Sequence, residues 1–366
     1  MDLGIIGLAK SGKTTVFNAL THGHAETAAF GRGGAEPNVG MVKVPDPRMD
    51  QLVTLDQPKR ITPAEVRYVE MGGTSEGFSK GEGIGGAFLN ALGKMDALIH
   101  VVRAFSDPSI PHVQGSVDPA RDIAAVNLEL AFSDAAIIER RLERIATSLK
   151  AAKPAEREAA AYEQQWLQDL KRQLEDGIPA RELQFSEAQQ RSLANYSLLT
   201  AKPLLIVINI GEEQLSEVDE LERSLQDEFR RPQTDVLALC GKLEMDLAQM
   251  APDEAEEFRT ALGIKQSNLG RVIQTSYRLL GLISFFTTGP DETRAWTVRE
   301  NTLAPQAAGK IHTDMEKGFI RAEVVPWEQY VKCGSWSEAR KHGYLQVEGK
   351  NYPVQDGDIL VILFSR

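Results

Sequence analysis

Two cysteines in 366 residues, Cys240 and Cys333, are too few for a disulfide framework. They lie far apart and read as buried free thiols in a reducing compartment, the cytoplasm. The chain lacks any run of about 18 apolar residues, so no transmembrane helix is expected and no membrane is implied. Its start has no basic stretch leading into an apolar segment, so no secretory signal is expected. Positive charge is scarce as well: 41 Lys and Arg stand against 52 Asp and Glu, a net charge of −11. That excludes a generic nucleic-acid coat and makes DNA an unexpected partner, since global affinity for polyphosphate needs positive surface. A local basic patch stays open, because net charge describes only the average. No internal repeat is visible, and the lowest-complexity stretch is Phe30-Gly31-Arg32-Gly33-Gly34-Ala35.

What the chain does have comes early. Gly7-Leu8-Ala9-Lys10-Ser11-Gly12-Lys13-Thr14 fits the phosphate-binding loop G-x-x-x-x-G-K-[ST]. In such a loop the glycines let backbone N–H groups wrap an anion. The lysine reaches the β- and γ-phosphates, and the hydroxyl ligates Mg²⁺. Leu3-Gly4-Ile5-Ile6 before it reads as a buried strand, and Thr15–Leu20 after it reads as a helix.

Further strands are expected at Val39–Val44, Ala64–Glu70, Ala97–Val102, Leu204–Ile208 and Val236–Leu239. The last three are near-continuous apolar runs, as in a central parallel strand covered on both faces. The α/β pattern therefore starts early, is interrupted, and resumes near residue 200. The interruption reads as an antiparallel helical hairpin. Ile138, Leu142, Ile145 and Leu149 form one apolar stripe, Tyr162, Trp166, Leu170 and Leu174 a second, with a turn at Lys150–Pro154. After Gly281 the pattern changes again, to strands at Ile283–Thr287, Thr293–Val298, Phe319–Val325 and Ile359–Phe364. This small α+β domain holds ten Lys/Arg against eleven Asp/Glu, so charge alone does not mark it as an RNA binder.

The rest of a nucleotide site can be sought at strand ends. Glu70-Met71-Gly72-Gly73 fits D-x-x-G with Glu in place of Asp, and the acid at that place holds Mg²⁺ through water. The extra methylene moves the carboxylate by about 1.5 Å, against the near-octahedral geometry Mg²⁺ demands. Asn209-Ile210-Gly211-Glu212 follows the run Leu204–Ile208 where a guanine-specific enzyme has N-K-x-D. With Ile for Lys and Glu for Asp the guanine clamp is broken, which favours ATP over GTP.

Other stretches carry a resemblance over almost the whole chain. They include Glu36-Pro37-Asn38-Val39-Gly40, Val44-Pro45-Asp46-Pro47-Arg48, Gly81-Glu82-Gly83-Ile84-Gly85 and Asn127-Leu128-Glu129-Leu130. The C-terminal third adds Arg294-Ala295-Trp296-Thr297, Ala304–Gly309, Ile311-His312-Thr313-Asp314 and Val354–Asp358. With these the chain resembles the YchF family of Obg-related ATPases. The resemblance implies an α/β fold: a Ras-like P-loop NTPase domain with an inserted helical coiled-coil arm and a C-terminal β-grasp (TGS) domain. The expected parts are 1–120 and 199–281 for the nucleotide-binding domain, 121–198 for the arm and 282–366 for the TGS domain. The resemblance further implies a ribosome-associated ATPase that prefers ATP through N-x-x-E, matched by Asn209 and Glu212. Cys240-Gly241-Lys242 falls on the family's Ser-Ala-Lys base loop, whose backbone N–H groups meet the base. His112, in Pro111-His112-Val113-Gln114-Gly115, falls on a histidine placed near the attacking water, where an imidazole can orient or deprotonate it. His312 is assigned to the β-grasp core or surface.

The chain departs from that family around the γ-phosphate. Ala9, Lys10 and Ser11 replace the usual P-N-V of the loop, Gly34 stands where a threonine hydroxyl would ligate the metal, Glu70 replaces Asp, and Thr74 replaces a bulky apolar residue. Either the site binds ATP and hydrolyses it slowly, or other groups compensate. The Lys10 ammonium would then occupy the place of a potassium ion that an asparagine holds in related enzymes. The expected site is therefore Gly7, Lys10, Ser11, Gly12, Lys13, Thr14, Thr15, Gly73, Asn209, Ile210, Glu212, Cys240 and Gly241 for ATP. Thr14 and Glu70 would hold Mg²⁺, and His112, Lys10 and Lys13 would serve the chemistry. Nucleotide state would reorient the loops at 30–40 and 72–86. An active GTPase and a non-enzymatic scaffold binding through the TGS domain and arm are the alternatives.

Overall fold

A computed structural model describes residues 1–23, 37–71, 86–149, 154–262, 264 and 267–365. The chain forms two compact units, Met1–Gly40 with Arg67–Val272, and Met41–Val66 with Ile273–Arg366.

In the first unit, β1 (Asp2–Ile6) is the apolar strand that leads into the phosphate loop. With β2 (Asn38–Lys43), β4 (Glu65–Glu70), β5 (Ala97–Arg103), β6 (Leu204–Asn209) and β7 (Thr234–Leu239) it belongs to a six-stranded sheet of order β2-β4-β1-β5-β6-β7. The pairs β4–β1, β1–β5, β5–β6 and β6–β7 are parallel. Parallel neighbours need crossovers, and the helices that supply them cover the sheet. That is why β5, β6 and β7 are buried at every residue and read as unbroken apolar runs. Register places the ends of β1, β4, β5 and β6 side by side, where ligands bind in open α/β sheets.

The helices α1 (Lys13–Thr21), α2 (Pro47–Asp56) and α3 (Gly86–Gly93) precede the arm. The arm is α4 (Pro119–Ser148) and α5 (Pro154–Glu175). Asp118 caps α4 by accepting from Arg121 N–H at 3.1 Å, with Pro119 in the first turn. Its buried seam holds Ile138 and Ile145 against Trp166, Leu167, Leu170 and Leu174. Tyr162, expected in that seam, is exposed, and Leu167 is buried instead. The buried face of α5 therefore runs through 166, 167, 170 and 174, the wider stripe of a helix packed against more than one neighbour. The turn residues Lys150–Lys153 lie outside the described residues. A buried carboxylate fixes the arm to the sheet connection. Asp134 accepts from Leu199 N–H (2.9 Å), Thr200 N–H (2.7 Å) and Thr200 Oγ1 (2.5 Å). After the arm come α6 (Glu187–Leu193), α7 (Val218–Phe229), α8 (Gly241–Leu247), α9 (Pro252–Ala261) and α10 (Asn268–Leu279).

The second unit is built on a sheet of order β11-β10-β12-β8-β9-β3, comprising β3 (Arg60–Thr62), β8 (Leu282–Thr287), β9 (Glu292–Arg299), β10 (Phe319–Pro326), β11 (Gln346–Glu348) and β12 (Asp358–Phe364). Phe285, Val298, Val324 and Leu360 pack with Ala304, Ala307 and Ala308 of helix α11 (Ala304–Ile311) to form its core. The β8–β9 hairpin is antiparallel, and β12 runs parallel to β8. A mixed sheet with a helix across it is the β-grasp arrangement. Its sixth strand comes from far away in sequence, because β3 pairs parallel with β9. Gly357, with φ +90°, turns the chain into β12, where a Cβ would strike the Trp327 ring. His312 is exposed and caps a short helix by accepting from Asp314 N–H at 3.2 Å.

Candidate nucleotide site

The loop after β1 is shaped by residues that tolerate positive φ. Gly7 has φ +147°, and a Cβ there would strike the Val101 carbonyl. Gly12 has φ +90°, and a Cβ there would strike the Asn209 side chain. Lys10 adopts φ 64° without being glycine, which costs about 1 kcal/mol. Strain of this kind gathers at functional sites.

Gly12 is also the N-cap of α1, and it offers no capping side chain. The first turn carries no acidic residue. Its backbone donors and the positive helix end are therefore left for an anion. The Ser11 hydroxyl is buried with no partner among the described residues, a donor waiting for an acceptor. Lys13 curls back and donates to the carbonyls of Gly7 (3.2 Å) and Leu8 (2.8 Å). Burial lowers its pKa to about 8, and the charge of Glu70 opposes that shift. Thr15 follows in the first turn of α1, half-buried. These groups together fit a polyphosphate.

Beside them stands an oxygen pair suited to a hard cation. Thr14 Oγ1 donates to Glu70 Oε1 at 2.6 Å, and Asn38 Nδ2 donates to Glu70 Oε2 at 3.0 Å. Glu70 ends β4 and is buried. One carboxylate and one hydroxyl, completed by phosphate oxygens and water, is a set that Mg²⁺ accepts. Asn38, which orients the carboxylate, escapes sequence reasoning. Its only sequence signal is its place in Glu36-Pro37-Asn38. Gly34, Gly73 and Thr74 lie outside the described residues, as do most of the loops at 30–40 and 72–86.

Asn209, the last residue of β6, reaches the phosphate loop. Its Nδ2 donates to the Ser11 carbonyl at 3.0 Å and its Oδ1 accepts from Gly241 N–H at 2.9 Å, both buried. One amide thereby joins the phosphate loop to the Cys240-Gly241-Lys242 loop. Gly241 must be small, since a Cβ would come within 2.9 Å of Asn209 Oδ1. Cys240 is buried as the N-cap of α8, and burial raises its thiol pKa. Ile210 is buried, while Glu212 is exposed and pairs with Lys242 at 3.0 Å. Asn209 also ties in β5, its carbonyl accepting from Ala104 and Phe105 N–H. The Arg103 guanidinium lies 4.4 Å from the centre of the Phe105 ring.

His112 has other company. Its side chain is buried, Nδ1 accepts from Gln114 N–H at 3.1 Å, and Nε2 stands 2.8 Å from Asp122 Oδ2 in the first turn of α4, off the direction of a hydrogen bond. No phosphate-loop residue is among its partners in the described residues.

Comparison with known proteins follows this layout. A family model described as "50S ribosome-binding GTPase" matches residues 2–137, and the YchF-GTPase_C model, described as "Protein of unknown function (DUF933)", matches residues 282–365. The chain is 40% identical to the "Ribosome-binding ATPase YchF" of Bacillus subtilis, covering 100% of this chain and 99% of that one. It is 39% identical to the protein of the same name from Escherichia coli O157:H7, covering 99% and 98%. The solved structure of the Schizosaccharomyces pombe YchF GTPase superposes with a TM-score of 0.85 at 32% identity, over 99% of this chain and 97% of that one. At 40% and 39% identity over nearly the whole of both chains, the chain belongs to the YchF family.

Proposed function

We propose that this chain binds ATP in preference to GTP, hydrolyses it weakly, and acts in the cytoplasm as a nucleotide-gated regulator on the ribosome. The observation that carries this reading is the Asn209 clamp. It joins the phosphate loop to the Cys240-Gly241-Lys242 loop, while Glu212 stands where guanine recognition needs Asp and is already paired with Lys242. The relatives' printed names supply the ribosome as partner.

In this reading the nucleotide-binding domain is 1–120 with 199–281, the arm 121–198 and the TGS domain 282–366. ATP phosphates lie on Gly7–Thr15, with Lys13 turning from the Gly7 and Leu8 carbonyls to the β- and γ-oxygens. Thr14 and Glu70 hold Mg²⁺, which when bound neutralises charge on those oxygens. Lys10 adds a second ammonium to the developing charge. The adenine lies against Ile210 and the backbone of Cys240 and Gly241. His112 orients water only after leaving Asp122 and Gln114, which agrees with weak turnover. Competition between Mg²⁺–ATP and Mg²⁺–GTP for the purified protein, followed by phosphate release, tests the reading. Comparable affinity for GTP would favour the GTPase reading that two of the matched descriptions print.

A further inference from the structure

The loop at 104–118, which runs from β5 to the arm, is exposed at its tip yet holds one side chain inside. Val113, Gln114, Gly115 and Ser116 are exposed. The His112 side chain is 3% exposed, and so is that of Asp122, whose Oδ2 stands 2.8 Å from Nε2. A buried carboxylate is costly without partners, and this one has a second. Its Oδ1 accepts from Arg121 Nε at 3.1 Å and from Arg121 Nη2 at 2.8 Å. The same guanidinium returns to the loop, donating to the Ser116 carbonyl at 2.6 Å and to Ser116 Oγ at 3.0 Å. Arg121 and Asp122 both stand in the first turn of α4, where a helix favours a negative side chain. One turn of the arm therefore grips the loop at two points, the imidazole and Ser116. The bonds of the tip itself are local. Gly115 N–H donates to the His112 carbonyl at 3.0 Å and Gln114 N–H to His112 Nδ1 at 3.1 Å. They tie the tip to itself and not to the rest of the fold.

We infer that Asp122 is a positioning residue for His112: the first turn of the arm clasps the imidazole in an idle place, and displacement of that turn frees it for the attacking water. The inference deepens the hydrolysis reading, on which it rests for the role of His112. Arg121 stays on Oδ1 when the imidazole leaves, so the carboxylate keeps a cation and the exchange does not strand a buried charge. The arm thereby reaches the chemistry through a side-chain contact. Whatever tilts α4 at its start changes the fraction of molecules in which His112 is free.

The test uses the full-length protein with two variants. Asp122→Asn keeps the size of the side chain and removes its charge. Arg121→Met, at a side chain 34% exposed, cuts the Ser116 tether. The first readout is labelling of His112 by diethyl pyrocarbonate in nucleotide-free protein, followed by peptide mass spectrometry. His312, with a side chain 62% exposed, is the internal reference. The second readout is phosphate release from Mg²⁺–ATP, resolved into kcat and KM. Asp122→Asn should label His112 about tenfold faster relative to His312, the factor for about 1.4 kcal/mol of hold removed. Its kcat should rise severalfold at unchanged KM, and the rise should vanish in Asp122→Asn/His112→Ala. Arg121→Met should give a smaller gain in both readouts. Unchanged labelling in a folded Asp122→Asn variant overturns the inference. If that variant does not fold, unchanged labelling in Arg121→Met overturns it. A fall in kcat in Asp122→Asn overturns it too, since the carboxylate would then orient the imidazole during the reaction. If none of the proteins releases phosphate but labelling rises, the hydrolysis reading fails while the clasp stands. If the unaltered protein hydrolyses ATP and neither readout changes in the variants, the clasp fails while the hydrolysis reading stands.

Discussion

Asn209 offers the sharpest separation of structure from recognition. Replacing it with alanine removes two buried hydrogen bonds, to the Ser11 carbonyl at 3.0 Å and from Gly241 N–H at 2.9 Å. Each leaves a buried backbone group unpaired, at about 1–3 kcal/mol. The expected loss is therefore about 2–6 kcal/mol of stability in the ligand-free protein. Part of that loss falls on the alignment of the two loops, so nucleotide affinity drops by about 10- to 100-fold, one decade per 1.4 kcal/mol. The drop is the same for ATP and GTP, because the amide touches protein and is already satisfied. Asn209→Asp keeps an acceptor for Gly241 but sets a carboxylate against the Ser11 carbonyl, and it behaves no better than alanine. Urea unfolding and calorimetric titration with both nucleotides measure these quantities. An alanine variant of unchanged unfolding free energy that loses only ATP affinity would refute the clamp and make Asn209 a base reader.

Three further outcomes follow from the same geometry. Lys13 has a pKa lowered to about 8, and phosphate contact raises it; nucleotide binding at about pH 8.5 should therefore take up protons and weaken as pH rises, seen as a buffer-dependent calorimetric heat. Asp134→Ala leaves three donors without an acceptor and should cost about 3 kcal/mol or more. The Asp134 carboxyl is raised to about 6 by burial, so its stabilisation is full below the unfolded pKa of 3.8 and is lost as pH rises through about 6, and Asp134→Asn should flatten that part of the urea-midpoint profile. Lys10→Asn should slow phosphate release and make it responsive to potassium, whereas severalfold potassium stimulation of the unaltered protein would remove Lys10 from the chemistry.

The phosphate loop is legible because its chemistry is local: glycines at Gly7 and Gly12 and a lysine at Lys13 serve their roles within one turn. The central strands are legible because parallel strands buried on both faces leave only apolar choices. Long-range pairing is not. Arg60-Ile61-Thr62 has no pattern of its own, yet it completes a sheet more than 200 residues downstream, a contact no local window contains. Asn38 is hidden for the same reason, since its meaning is the Glu70 carboxylate reached through the fold. Tyr162 misleads because spacing at four residues cannot tell the centre of a buried face from its edge. Asn209 is found by its motif, but its service as a clamp is visible only in three dimensions.

The central claim is that this is an adenine-nucleotide site, and calorimetric titration with Mg²⁺–ATP and Mg²⁺–GTP addresses it most directly. The account predicts saturable ATP binding at least about tenfold tighter than GTP, a difference of about 1.4 kcal/mol. GTP binding as tight as ATP, or no binding of either nucleotide, would contradict it.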